Sequence, residues 1–346
     1  MKKFLAVILA LVLCFTLVAC GEKAEEEETT TTDDTTEEDS TATETKAKPE
    51  AYFIACMSGG AAWSRAEKGF NDACSDLGIT GYYLVPVERY NYTQMSEQLD
   101  TAINAGGKLL IGCFWDEEFF GNSLNNARAN GAVTAVLNWD LHEKDYIDVA
   151  IGTAPAGMGK CQGEALVEMY EKDGVDINYV IMEGSASQLD DTYKNAIQAA
   201  VDAAGLTDHI KFLEFVFDES SATTAAERIK DYVKANPDCN ACVCLDSSAA
   251  TMGVANFVQE NGLEDSFYGV GIDASEDILN YVKQNALCLT INQDFYTMGY
   301  QAVEKTYDMY MNGTAAPADF IDSGCFIIHA DEADEYAEGM GWTLVD

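Results

Sequence analysis

The chain is short of positive charge. Twenty Lys and Arg stand against 59 Asp and Glu, a formal charge of −39 over 346 residues. Nucleic-acid recognition rests on basic side chains that neutralise phosphates, so that class of partner is excluded. Anionic lipid headgroups should repel the chain for the same reason. Histidine is scarce too: His142, His209 and His329 are scattered and support neither a His-centred base nor a zinc cluster. There is no P-loop, no H-E-x-x-H and no G-x-S-x-G, and Gly157-x-Gly159-x-x-x-Gly163 misses the dinucleotide spacing by one residue. Without a catalytic constellation, the expectation is a binding protein with no cofactor and no metal. What is present is globular in kind: 48% hydrophobic, 10% aromatic and 23% charged residues.

No long membrane span is evident. Phe4 to Ala19 is an apolar run of 16 residues behind Lys2 and Lys3, short for a spanning helix and suited to a signal peptide. It ends in Leu17-Val18-Ala19-Cys20-Gly21, which resembles a bacterial lipobox. The expectation is a signal over 1–19 and a lipidated Cys20 as the mature N-terminus, since two acyl chains anchor stably. Residues 20–50 would then be an acidic tether. From Gly21 to Glu50 there are twelve acids, three lysines and no aromatic or large aliphatic residue, a composition that cannot bury a core.

An even set of cysteines is also missing. Once Cys14 and Cys20 are set aside, nine remain, so a complete disulfide framework is impossible. They sit in apolar runs and read as small buried hydrophobes. Cys239-x-x-Cys242-x-Cys244 lacks a second ligand pair nearby and has the period of a buried strand, so no metal is expected there.

Beyond residue 50, strand and helix patterns alternate. Strands are expected at 52–57, 81–87, 108–113, 132–138, 147–151, 177–182, 210–217, 240–245, 267–272 and 287–291. Helices are expected at 62–77, 93–105, 118–130, 156–172, 187–204, 221–235, 248–261, 275–285 and 294–312. In the helix Ser221–Ala235, Ala225, Ile229 and Tyr232 share one face. Continuously apolar strands such as Tyr179–Met182 suit a parallel sheet covered on both sides. The alternation argues an α/β doubly wound architecture. Ten strands exceed a usual open sheet, so two sheets in two lobes are expected. The link 139–151 has no room for a crossover helix and reads as a passage between lobes; it also disfavours a single α/β barrel.

Ligands of such sheets bind outside the carboxyl ends of the strands. Ser58 and Trp63 follow the first strand. Trp115 and Asp116 follow the third, and Asn138, Trp139 and Asp140 the fourth. Glu183, Gln188 and Asp191 follow 177–182; Asp246 follows 240–245, Asp273 follows 267–272, and Gln293 follows 287–291. Neutral and acidic hydrogen-bonding groups beside three indoles suit a sugar, whose hydroxyls pair with Asp, Asn, Gln and Ser. Its apolar ring face packs on an aromatic plane. Arg65 and Arg89 read as surface residues, so nothing here is built for a phosphate or a doubly anionic ligand.

These residues carry a resemblance. The chain from about 51 to 322 resembles the type I periplasmic solute-binding proteins of the ribose/galactose branch, through Gly106-Gly107-Lys108 to Asn138, Val-Gly-Ile-Asp273 and Leu-Thr-Ile-Asn-Gln293. The resemblance implies two lobes joined by a three-crossing hinge, with lobe 1 at 51–153 plus 293–322 and lobe 2 at 154–292 plus 323–346. It implies that Ser58 and Trp63 contact a sugar ring, that Asn138 takes the place of a sugar-binding Asp, and that Asp273 and Gln293 bind hydroxyls. Two arginine positions of the family read Asn138-Trp139 and Gln188-Leu189-Asp190-Asp191 here. The implied function is capture of a small neutral solute, a monosaccharide or related polyol, by a monomer anchored on the outer face of the cytoplasmic membrane (Gram-positive type) and serving an ABC permease. The alternatives are a ligand sensor for a membrane kinase or chemoreceptor, or a binder of a furanosyl signal or nucleoside.

Overall fold

The computed structural model describes residues 46–345; the expected signal, Cys20 and most of the tether lie outside them. From the N-terminal side the chain runs β1 (Ala51–Ile54), α1 (Ala61–Leu77), β2 (Gly81–Leu84), α2 (Tyr92–Asn104), β3 (Leu109–Gly112), α3 (Glu117–Ala129), β4 (Val133–Leu137) and β5 (Val149–Gly152). It continues through α4 (Pro155–Asp173), β6 (Ile177–Glu183), α5 (Asp190–Ala203), β7 (Ile210–Phe217), α6 (Ala222–Ala235) and β8 (Ala241–Cys244). A π-helical turn (Ser247–Thr251), α7 (Met252–Asn261), β9 (Tyr268–Ile272), α8 (Glu276–Lys283) and β10 (Leu289–Gln293) follow. The last elements are α9 (Phe295–Asn312), β11 (Ile321–Asp322), β12 (Cys325–Ile328) and α10 (Ala333–Met340).

The strands form two six-stranded sheets, ordered β11-β5-β4-β3-β1-β2 and β12-β10-β9-β8-β6-β7. All pairings are parallel except β10 with β12. The central strands β1, β3, β4 and β8 are buried along their whole length, as helices on both faces require. Helix starts follow side-chain caps: Asn91, Asp116, Ser221, Ser275 and Asp294 each accept a backbone N–H of the first turn. Such a cap contributes about 1 kcal/mol relative to Ala.

The chain crosses between the sheets three times: after β5, between β10 and α9, and between β11 and β12. The crossings lie side by side. Ser323 N–H donates to the Gly152 carbonyl at 2.7 Å, the Thr153 hydroxyl to the Gly324 carbonyl at 3.1 Å, and Asp294 N–H to the Gly324 carbonyl at 3.2 Å.

Some expectations are corrected. The link 139–151 is no passage between lobes: it joins β4 to its parallel neighbour β5 within the first sheet, without a crossover helix. Arg128 and Asp148 hold that link, with Arg128 Nη2 2.6 Å from Asp148 Oδ1 while Asp148 Oδ2 accepts Thr134 N–H at 2.9 Å. The last residues expected in the tether dock on the domain instead. Lys46 and Lys48 donate to the carbonyls of Tyr310 and Leu77, and Pro49 is buried. Cys161 and Cys325 are paired as a disulfide that ties α4 to β12, so two of the nine cysteines are not free thiols. Among the described residues, no helix is long and apolar enough to cross a membrane.

Candidate functional site

A cavity of about 520 Å³ lies between the carboxyl edges of the two sheets. The first sheet's loops and the start of α1 supply Met57, Gly60 to Trp63, Tyr90, Trp115 and Asn138. The second supplies Ser247, Ser248, Met252, Asp273 to Ser275, Asp277 and Ile278. Gln293 and Phe295 come from the second crossing. No Lys, Arg or His lines it.

One wall is aromatic. The Trp63 ring lies 5.3 Å from Phe295 and 6.0 Å from Trp115, centroid to centroid, and Tyr90 lies 6.2 Å from Trp115. Trp115 is fixed by its indole N–H, which donates to the Leu137 carbonyl at 2.8 Å. Trp63 is only 6% exposed, so it offers the cavity a limited surface rather than a free face. The opposite wall is polar. Asp273 has a left-handed backbone, φ 60°, and its N–H donates to the Ile291 carbonyl at 2.8 Å. The Gln293 amide donates to Asp273 Oδ1 at 2.9 Å, which aims both side chains from neighbouring strands. Asn138 occupies the equivalent turn of the first sheet, with φ 57° and its N–H on the Ile151 carbonyl. Asn and Asp tolerate this conformation better than most residues.

Of the expected contacts, the structure brings Trp63, Trp115, Asn138, Asp273 and Gln293 to the cavity. Six others it does not. Ser58 is exposed, because the chain turns at Gly59 and Gly60, both at positive φ, into α1. Trp139 is 56% exposed and packs outside Trp115 at 6.2 Å. Asp140 binds His142 Nδ1 at 2.5 Å. Gln188 is exposed, and Asp191 pairs with Lys194 at 2.6 Å. Asp246 caps the π-helical turn through the N–H groups of Ala249 and Ala250. Arg65 is not a free surface group: it reaches from α1 across to Tyr336 and Phe326, 5.2 and 6.0 Å from their ring centres.

Behind the polar wall the acids crowd. Burial first, then a hydrogen bond with Asp190 and the nearby Asp218 and Asp246, pushes Glu183 up to about 8 from an ordinary 4.5. Burial and the Asp246 carboxyl push Asp218 up to about 6 from 3.8. Burial raises Asp273 as well. A carboxyl whose native pKa is raised stabilises the fold below its unfolded value, and that stability is lost as pH rises through the native value. The melting temperature should therefore fall from about pH 4 to about pH 8 and level off above that. Glu183→Gln, which keeps the shape and can still donate to Asp190, should be more stable than the parent at pH 8.5 and should flatten this fall. His142 and His329, also raised, act in the same direction, but they are common to both proteins. Parallel melting profiles for parent and variant would contradict the assignment. Among the described residues, no group of His, Cys, Asp or Glu is arranged to hold a metal ion.

The residues missed from sequence are mostly apolar. Met57, Met252, Ile278 and Phe295 carry no hydrogen-bonding side chain to mark them as ligand contacts, and the meeting of the two sheets brings them to the cavity. Ser247 and Ser248 directly follow Asp246 at a strand end, where the strand-end rule places them, and both line the cavity.

Comparison with known proteins agrees with this geometry. A family model described as a periplasmic binding protein domain matches residues 51–314. The fold is similar to AraP, an arabinose binding protein from Geobacillus stearothermophilus, with TM-score 0.73 and 14% identity over 84% of this chain and 99% of that one. It is also similar to a sugar-binding protein of a sugar ABC transporter from Bacillus halodurans, with TM-score 0.72 and 16% identity over 83% and 99% of the two chains. GanP, a glucose-galactose binding protein from Geobacillus stearothermophilus, gives TM-score 0.63 and 22% identity over 83% and 99%. Two six-stranded sheets, three adjacent crossings and the extent of the family match lead to one conclusion: the chain belongs to the periplasmic binding protein domain family, a family of binding proteins and not of enzymes.

Proposed function

We propose that this protein captures a small, non-anionic solute of the sugar class in the cavity between its sheets and delivers it to an ABC permease. One observation carries the reading. The cavity combines an aromatic wall with amide, hydroxyl and carboxylate groups and holds no basic side chain. Aromatic planes accept the apolar face of a sugar ring, and the polar groups accept its hydroxyls. The absence of Lys and Arg from the lining disfavours phosphates and carboxylates. The sugar-binding proteins of similar fold support the same class.

The rest of the reading follows the chain. Cys20 would be the lipidated N-terminus, with the acidic segment behind it holding the domain off the outer face of the cytoplasmic membrane. Residues 51–153 plus 293–322 and 154–292 plus 323–346 would move as two bodies about the three crossings. The test is a thermal-shift screen of the purified protein against sugars, polyols, nucleosides and amino acids. A ligand at 100 times its dissociation constant adds about 2.7 kcal/mol, which should raise the melting temperature by roughly 5–10 °C. A response to nucleosides or amino acids with none to sugars or polyols would contradict the proposal.

A further inference from the structure

Four neighbouring strands of the second sheet lead into an acid at their carboxyl ends. In sheet order the strands are β9, β8, β6 and β7, and the acids are Asp273, Asp246, Glu183 and Asp218. Adjacent strands lie about 4.8 Å apart, so the row spans roughly 14 Å. The ladder continues into the row: Asp218 N–H donates to the Glu183 carbonyl, and Leu245 N–H to the Met182 carbonyl, both at 2.9 Å.

The row is uncompensated. Among the described residues none of the four acids takes part in an ion pair; Lys194 pairs with Asp191 at 2.6 Å and Arg228 with Glu219 at 2.9 Å. Asp218 has no exposed surface and Glu183 only 8%. Even so, Asp218 Oδ2, Glu183 Oε1 and Asp246 Oδ2 are buried without a hydrogen-bond partner. Buried carboxyl oxygens left this way are costly unless a proton or a cation meets them; at pH 7 a proton meets Glu183, whose pKa of about 8 keeps it neutral, while Asp218, at about 6, is charged. The described acids are not gathered to hold a metal ion. The row does open onto the cavity at one end, through Asp273 and through Ser247 beside Asp246.

We propose that the cleft selects a sugar bearing a protonated amine over its neutral counterpart, with the ammonium group docking at Asp273 and the carboxylates of Asp246 and Asp218 attracting it from behind. This rests on the sugar reading above and narrows it. An ammonium group brings three donors to a wall of acceptors. A low-dielectric cleft lined by one sign of charge concentrates the opposite sign, and it rejects anions by the same field.

Titration calorimetry of the purified protein at pH 7 with matched pairs tests this: glucose and glucosamine, galactose and galactosamine, mannose and mannosamine. At least one amino member should bind, about tenfold or more tighter than its neutral partner. Asp218→Asn keeps an Oδ1 acceptor for the Ser220 N–H, 2.7 Å away in the parent, and lies outside the cavity lining. It should reduce the preference roughly three- to tenfold while leaving affinity for the neutral sugar unchanged. A neutral member that binds as tightly as its amino partner overturns this inference and leaves the sugar reading standing. If no amino member binds, the inference is likewise overturned.

Discussion

Gly299→Ala should lower the melting temperature by about 6–12 °C, a cost of roughly 3 kcal/mol. Helices α1 and α9 cross with their backbones in contact. A Cβ on Gly299 would lie 2.1 Å from the Ala66 carbonyl oxygen, and one on Gly69 would lie 2.1 Å from the Tyr296 carbonyl oxygen. No flexible side chain is available to give way, so the helices must separate. The damage should reach the cavity, because Trp63 on α1 and Phe295 on α9 meet there, 5.3 Å apart. Gly339→Ala is the control. That glycine is helical with nothing within 4 Å of the added methyl, so Ala should be neutral or stabilising by up to about 1 kcal/mol. Chemical denaturation of the three proteins checks the order. A Gly299→Ala protein as stable as the parent would mean that the two helices do not cross in this way.

Asp273→Asn should weaken ligand binding by about 10–100-fold, the usual value of a hydrogen bond to a charged group. The substitution keeps an acceptor for the Gln293 amide and tolerates the left-handed backbone. It also removes a carboxyl whose pKa burial has raised, so stability should hold or rise. Calorimetric titration together with a melting curve separates the two effects. Parent-like affinity in the folded variant would remove Asp273 from the site.

How much of this was legible in the sequence depends on the range of the forces involved. Apolar runs such as Tyr179–Met182 and capped, one-faced helices such as the one after Ser221 are local patterns, and they appear as β6 and α6. The strand-end rule reached Trp63, Trp115, Asn138, Asp273 and Gln293. The same rule applied to β7 would have reached Asp218. β11 and β12 were not legible, because two and four residues carry no period, and their partners β5 and β10 select them from afar. The disulfide was hidden for a similar reason: Cys161 and Cys325 are 164 residues apart, and an odd count excludes a full framework without excluding one pair. Two of the strand-end acids misled in another way. Asp191 follows a strand end but is drawn to Lys194, and Asp246 is drawn to the N–H groups of the turn that it caps. Strand-end position names candidates; local hydrogen bonds decide which of them remain free for a ligand.

The central claim is that the ligand sits between the two sheets and closes them about the three crossings. Differential affinity for the closed state drives such a hinge motion. Small-angle X-ray scattering of the purified protein, with and without the tightest ligand from the sugar screen, measures it directly. The account predicts a smaller radius of gyration and a changed scattering curve at saturation. Identical curves with a saturating ligand would contradict it and require a rigid, preformed pocket.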